Sequence, residues 1–473
     1  MTRGTTLVIL AVLIAAHIAL AATFASITPF RTPGFLFGSR DPATGGPQHV
    51  ADIGAPDERQ HVNYVLGLVH GGGLPVFNPK DPNLNETLES HQPPLFYVLA
   101  AGWGSILGAY MPPEPPATEG KEMAQDDGVK LRSLNVVIGA LTVGGVFMLA
   151  FWAYRKPEVA LAATAFAALL PMHAALNGAV SNDPLLICLC TWVLALVAKS
   201  IWDGWTIGTA LAVGILTGLA ILTKTSGVAL LPVLLVAVMM KQDRRPTGRQ
   251  LVAAVVPTLV MVLPWWVRNQ KLYGDPLAMG AFSQAFVGTA QASTFIQAFG
   301  TAGYWISMVG LWTVCAFIGA FGYMDIWLTN TGMRGGAQSI YLVAWLVILA
   351  AIAGWVMAVR RDNTDGKRMH LLNGLFFLVV LLLFLKFNMQ YFQAQARYLL
   401  PAIGPIACGI GLGLVTLARD RWKVAISVVV IVFGFISAFA LTKLPGEFAK
   451  RQGTVTATLG SDTSGPADAV QVK

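Results

Sequence analysis

The chain has 473 residues, of which 55% are hydrophobic and only 12% charged. A soluble domain carries roughly 25% charged residues, so half the usual solvating charge is missing, and disordered, collagenous and small disulfide-framework classes are excluded. The net charge of +8 lies in short clusters between apolar runs, which excludes a nucleic-acid partner and reads as membrane topology.

Crossing a bilayer takes about 20 apolar residues. In chain order the candidates are 6–25, 131–153, 160–172, 185–198, 206–222, 228–240, 251–267, 340–359, 371–387, 399–417 and 424–441. They predict an all-α polytopic membrane protein with about eleven transmembrane helices. The first, following Arg3, reads as a retained signal anchor, because its apolar run exceeds the usual core of a cleaved signal peptide. Residues 1–442 read as a single membrane domain. Its long first loop, 28–130, is expected to hold juxtamembrane helices, and 268–339 forms a second large segment. The remainder, 443–473, is polar and small-residue rich and is expected to be disordered. The four cysteines, Cys188, Cys190, Cys315 and Cys408, all fall in apolar runs and read as packing residues.

Orientation follows from the short loops. Arg155-Lys156, Lys199, the cluster at 241–249, Arg360-Arg361 with Lys367-Arg368, and Arg419, Arg421 and Lys423 alternate with the spans. Placing them in the cytoplasm with Arg3 satisfies the positive-inside rule and predicts a multi-pass protein with a cytoplasmic N-terminus. Asp57, Glu58, His61, His91, His173, Asp183, Lys224, Arg268 and Arg397 then share the outer side. The stretch 294–327 is apolar, glycine-rich and aromatic, yet one extra crossing there would invert every later basic cluster. It is expected to lie at the outer interface or to be re-entrant, with Trp305, Trp312 and Trp327 at headgroup level.

Polar residues at membrane depth are costly and are functional suspects by default. In Pro56-Asp57-Glu58-Arg59-Gln60-His61-Val62-Asn63-Tyr64, a proline followed by acids suits a helix start. Asp57, His61 and Tyr64 would share one helix face with Glu58 beside them, offering a carboxylate and an imidazole as a general-base pair. The plainer alternative is an acidic first turn that complements the helix dipole. In His91-Gln92-Pro93-Pro94, two prolines start a helix, leaving His91 and Gln92 at a terminus suited to anions; an ordinary interfacial helix with a proline start is the alternative. Asp183 before Pro184, Lys224, Arg268 with Tyr273, and Arg397 with Tyr398 each put an ionisable residue at a helix end. Singly, Lys224 and Arg268 read as snorkelling anchors and Asp183 as a cap. Together, three cations near a carboxylate suit an anionic headgroup. Asp57, Glu58, His61 and His91 are hard or borderline ligands compatible with a divalent cation, but no tight ligand spacing assigns a metal site.

These motifs, in this order, resemble the GT-C superfamily of integral-membrane glycosyltransferases over most of the chain. They are closest to the bacterial branch similar to glycosyltransferase family 39, which includes protein O-mannosyltransferases and the aminoarabinose transferase of lipid A. The resemblance implies a bundle of roughly a dozen spans, a catalytic acid in the first outer loop, and a polyprenyl- or dolichyl-phosphate sugar as donor. On that pattern Asp57 matches the catalytic position, Glu58 its acidic neighbour, and His61 joins them. His91, Gln92, Asp183, Lys224, Arg268, Tyr273, Arg397 and Tyr398 would hold the donor's phosphate and sugar. The chain departs from the pattern at His91-Gln92, where the aminoarabinose enzymes have Glu-Lys before the paired prolines; Lys224, Arg268 and Arg397 would supply the missing positive charge. The implied activity is inverting sugar transfer to a lipid, glycan or protein acceptor. The alternatives are a transporter or flippase of lipid-linked saccharides and a non-catalytic membrane assembly protein.

Overall fold

The structure, a computed structural model, describes residues 1–41, 43–50, 52–112, 123–240, 245–329, 339–419 and 421–461. Lys241 and Arg244 of the basic cluster and residues 462–473 of the tail lie outside these. Helix α1 (Arg3–Ile27) starts where the Thr2 hydroxyl accepts the Thr5 N–H. A hairpin of β1 (Gly34–Arg40) and β2 (Pro47–Val50) follows, then α2 (Glu58–Val69), α3 (Leu84–Thr87) and α4 (Leu95–Ile106). Helix α4 begins directly after Pro93-Pro94, as the paired prolines predict. The first loop therefore does carry surface helices.

The bundle proper comprises α5 (Gln125–Tyr154), α6 (Pro157–Leu169), α7 (Pro171–Asn177), α8 (Asp183–Asp203), α9 (Ile207–Thr223), α10 (Leu230–Met239) and α11 (Gly248–Tyr273). After α12 (Met279–Ala285), α13 (Ala292–Ala302) continues through a π-helical stretch, Gly303–Gly310, into α14 (Leu311–Gly319). A tight hairpin, β3 (Ala320–Phe321) and β4 (Ile326–Trp327), precedes α15 (Ser339–Arg361), α16 (Thr364–Gln390), α17 (Ile403–Leu417) and α18 (Trp422–Ser461). Among the described residues, nine helices are long and apolar enough to cross a membrane.

Three expected spans take a different form. The 160–172 segment is a bent pair, α6 and α7, meeting at 63°. Pro171 lacks the N–H that Ala167 would need, and His173 Nδ1 donates to that carbonyl instead at 2.8 Å, while His17 Nδ1 reaches the Ala168 carbonyl at 2.9 Å. The 206–222 and 228–240 segments are shorter apolar helices, Ile207–Thr223 and Thr225–Met239. The first of them still runs between the two ends of the bundle. Trp205 meets Gln250 at one end, and Asn182 meets the Thr223 carbonyl at the other. Gly214 and Gly413 allow helix backbones to touch, since a Cβ would stand 2.1 Å from the Ala254 carbonyl oxygen and 1.8 Å from that of Ala351.

The Ala292–Gly319 run is itself long and apolar enough to span, but both its ends meet the same end of the bundle. Gln291 bridges to Tyr391 just beyond α16, and Phe321 stacks on Phe24 near the end of α1. Tyr341, at the start of α15, donates to the Gly319 carbonyl at 2.7 Å. The segment after residue 443, expected to be disordered, continues α18 as helix through Ser461. Leu444, Phe448 and Arg451 are buried there, with Arg451 bonded to Asp325 and stacked over Phe37. All four cysteines are free and buried.

Candidate active site

The end of the bundle opposite the basic loops gathers five pieces of chain: the start of α2, the turn before α4, the start of α8, the end of α9, and the segment entering α17. Asp57 precedes the first residue of α2 with φ 58°, a left-handed conformation that costs an L-residue energy but suits aspartate better than most. Its side chain makes no cap bond. It instead accepts a hydrogen bond from Arg397, which it also meets as an ion pair. An acidic first turn complementing the helix dipole does not by itself account for this pairing. Burial opposes ionisation of Asp57, yet Arg397, with His61 and Lys224 nearby, holds the carboxyl below its ordinary range. Tyr398 braces the guanidinium, its hydroxyl 3.2 Å from Nη2 and its ring 5.1 Å from Cζ.

A second pair stands alongside. Lys224 Nζ lies 2.5 Å from Asp183 Oδ1, and the ammonium sits 5.9 Å from the same Tyr398 ring. Lys224 follows the last residue of α9 and Asp183 opens α8, so two helix ends place them. His61, one turn into α2, bonds the Tyr97 hydroxyl at 2.9 Å, and burial keeps its imidazole below the usual value. Asp57, His61, Asp183, Lys224, Arg397 and Tyr398 thus form one electrostatic centre.

Other expected members go elsewhere. Glu58 points into the protein, where Arg132 of α5 grips both carboxylate oxygens at 2.8 and 2.6 Å and the Val180 N–H adds a third bond. It is a tie between α2, α5 and the α7–α8 turn, not part of the centre. His91 packs between Phe77 and Phe282 and donates to the Leu88 carbonyl at 2.7 Å; burial lowers its pKa to about 4. Gln92 is buried beside it, its carbonyl facing the Tyr64 hydroxyl at 3.5 Å. Arg268 stacks on Trp265 and donates to the Leu74 and Pro75 carbonyls, while the Tyr273 hydroxyl accepts the Phe77 N–H at 2.9 Å. These two brace the 74–77 loop at the rim of a separate cavity of about 450 Å³.

Glu58, His61 and His91 therefore face three different environments, and among the described residues no three His, Cys, Asp or Glu side chains are placed to hold a metal ion. Among the described residues, the donors are not gathered as a cation site. Two residues escaped the sequence reading. Glu89 is buried 3.9 Å from His61, with burial raising its pKa against the pull of that imidazole. Tyr323, in the β3–β4 turn, lies in electrostatic reach of Asp57 and Arg397. Glu89 precedes the paired prolines by four positions and was detectable as an acid beside a functional motif; Tyr323 had no local signal.

The comparisons with known proteins agree with this architecture. Residues 83–271 match the family model described as dolichyl-phosphate-mannose-protein mannosyltransferase. No curated protein matches the chain by sequence. The apo oligosaccharyltransferase of Archaeoglobus fulgidus superposes with a TM-score of 0.53 at 12% identity, covering 94% of this chain and 56% of that one. ArnT from Cupriavidus metallidurans, in a structure bound to undecaprenyl phosphate, gives 0.53 at 13% identity and covers 99% of this chain and 82% of that one. The chain thus spans little more than half the length of the archaeal enzyme. In fold the chain is a polytopic membrane protein of the GT-C type, and through residues 83–271 it is similar to the family 39 mannosyltransferases.

Proposed function

We propose that the chain is an inverting glycosyltransferase that moves a sugar from a polyprenyl-phosphate donor to a lipid, glycan or protein acceptor at the periplasmic face of a bacterial inner membrane. The observation that carries this reading is the Asp57–Arg397 pair with Asp183–Lys224 beside it, at the end of the bundle away from the basic loops. The undecaprenyl phosphate bound to ArnT and the lipid-phosphate sugar in the family's description are chemically what such a centre suits.

A sugar joined through C1 to a lipid phosphate already has a good leaving group. The acceptor oxygen or nitrogen attacks C1, the C1–O bond breaks with its electron pair going to the phosphate, and the acceptor's proton passes to Asp57. Arg397 and Lys224 offset the growing charge on the phosphate, a contribution of about 3–4 kcal/mol for one well-placed donor. Arg397 links the two tasks. As it turns toward the incoming phosphate, Asp57 loses the partner that holds its pKa down and becomes a stronger base. Displacement from the opposite face inverts C1. The lipid tail would run between helices, with the Ala292–Gly319 segment as one wall.

The test is transfer of radiolabelled sugar from a polyprenyl-phosphate donor by the purified chain. Asp57→Asn keeps a hydrogen-bond acceptor for Arg397, so it should still melt cooperatively and still bind donor, while transfer falls by 10²-fold or more, in line with roughly 10²–10⁴ for a general base. An Asp57→Asn chain that transfers sugar normally would remove the catalytic assignment. A wild-type chain that moves intact donor across vesicles would replace it with the transporter reading.

A further inference from the structure

One carboxylate of the centre has no role in the chemistry above. Glu89 lies in the single 3-10 turn Leu88–His91, 7% exposed, and its Oε2 is buried without a hydrogen-bond partner. The side chains that might answer it are occupied. His61 Nδ1, at 3.9 Å, is bonded to Tyr97, Arg397 is paired with Asp57, and Lys224 with Asp183. A buried oxygen left this way is costly unless a ligand completes it.

Glu89 nonetheless belongs to the same electrostatic centre, its Oε2 3.9 Å from His61 Nδ1 and its charge felt together with those of His61, Asp57, Lys224 and Arg397. It is not alone in lacking a partner. Among the described residues of the centre, Asp183 Oδ2 is also buried and unpartnered, and Arg397 Nε is a donor left in the same state. Two of these three atoms are acceptors. A phosphate brings only acceptors of its own and is met by the cations, so it cannot satisfy these oxygens. A ligand rich in hydroxyls can.

We propose that Glu89 is a binding residue for the transferred group, taking hydrogen bonds from the hydroxyls of a polyhydroxylated sugar through Oε2, with Asp183 Oδ2 as a second acceptor. This rests on the lipid-phosphate-sugar donor proposed above and assigns its two halves to different side chains: phosphate to Arg397 and Lys224, sugar to Glu89 and Asp183. Glu89 is suited to the task because Pro93-Pro94 and the start of α4 fix its turn, and Tyr97 of α4 fixes the His61 ring beside it.

Detergent-purified full-length wild type, Glu89→Gln and Glu89→Ala are titrated with two probes, undecaprenyl phosphate and undecaprenyl-phosphate mannose. The ratio of the two affinities reports the sugar alone. Glu89→Ala should lower that ratio about tenfold or more, the size of a hydrogen bond to a charged group. Glu89→Gln, which keeps an oxygen, should lose less, and affinity for the bare lipid should hold or rise as a negative charge leaves. If both lipids weaken in parallel, or the ratio does not move, the assignment is overturned. If the wild type binds neither lipid, the donor reading falls, and the sugar assignment with it. Should Glu89→Ala not fold, the ratio for Glu89→Gln decides.

Discussion

The adjacent acids Asp57 and Glu58 show how one residue step divides chemistry from structure. Asp57 stands before α2 in a left-handed conformation while Glu58 opens the helix, and the two side chains face different surroundings. Asp57 was legible in the sequence as an acid at a helix start. That Glu58 is a structural tie was not, because its partner Arg132 arrives from 74 residues away. The two substitutions should therefore fail differently. Glu58→Gln strands Arg132, which is wholly buried, and breaking a buried pair costs about 3–5 kcal/mol; a marked loss of thermal stability in detergent is expected, with donor binding retained by the folded fraction. Asp57→Asn should lose catalysis with a far smaller thermal shift. His91 misled for a related reason. It stands beside the prolines of a functional motif, yet its ring fills an aromatic pocket. Its folded pKa of about 4 lies below the ordinary 6.5, so the folded chain binds fewer protons than the unfolded one between those values. Its contribution to stability is complete above pH 6.5 and is lost as the pH falls toward 4. A thermal-stability profile should show that acid limb in the wild type and a shallower one in His91→Phe.

At the scale of elements, hydropathy located the helices well because apolar length is a local property. It missed where they bend and how far they extend, since both depend on distant partners. The α6–α7 break is held by His17 and His173 donating to the freed carbonyls, and only the proline of that arrangement is visible in a window of sequence. The extension of α18 is polar on its own terms and became ordered through contacts with the β3–β4 hairpin. Arg451 Nε and Nη2 donate to Asp325 Oδ2 at 3.0 and 2.9 Å, and Lys443 Nζ reaches the Trp327 carbonyl at 2.7 Å. The hairpin so held carries Tyr323 toward Asp57 and Arg397. Arg451→Ala should leave Asp325 buried without its cation, so amide hydrogen exchange across 320–327 should rise while that of α5 and α8 stays unchanged. Transfer activity should fall with it. Partial recovery of protection in the double variant Arg451→Asp with Asp325→Arg would tie the effect to the pair and not to helix α18 in general.

At the scale of the whole molecule, charge and chemistry separate to opposite ends. Arg3, Arg155, Lys199, Arg249, Arg360, Lys367 and Arg421 stand at helix ends remote from Asp57. The short connections at the site end, 171–183 and 223–227 and 388–398, hold only Lys224 and Arg397 as basic residues, and both are matched by carboxylates. A basic excess in short loops is the signature of the cytoplasmic side, so the expected orientation has the centre outside. The arrangement also suits the proposed chemistry, because a lipid phosphate enters from the bilayer while acceptors arrive from the aqueous side. The four native cysteines are buried, which leaves a silent background for probing this polarity. Lys80, exposed in the first loop, and Lys367, exposed in the first turn of α16, mark the two ends. On intact spheroplasts a membrane-impermeant maleimide should label Lys80→Cys at once and Lys367→Cys only after permeabilisation. The opposite pattern would put Asp57 and Arg397 in the cytoplasm and overturn the periplasmic site, whatever the fold.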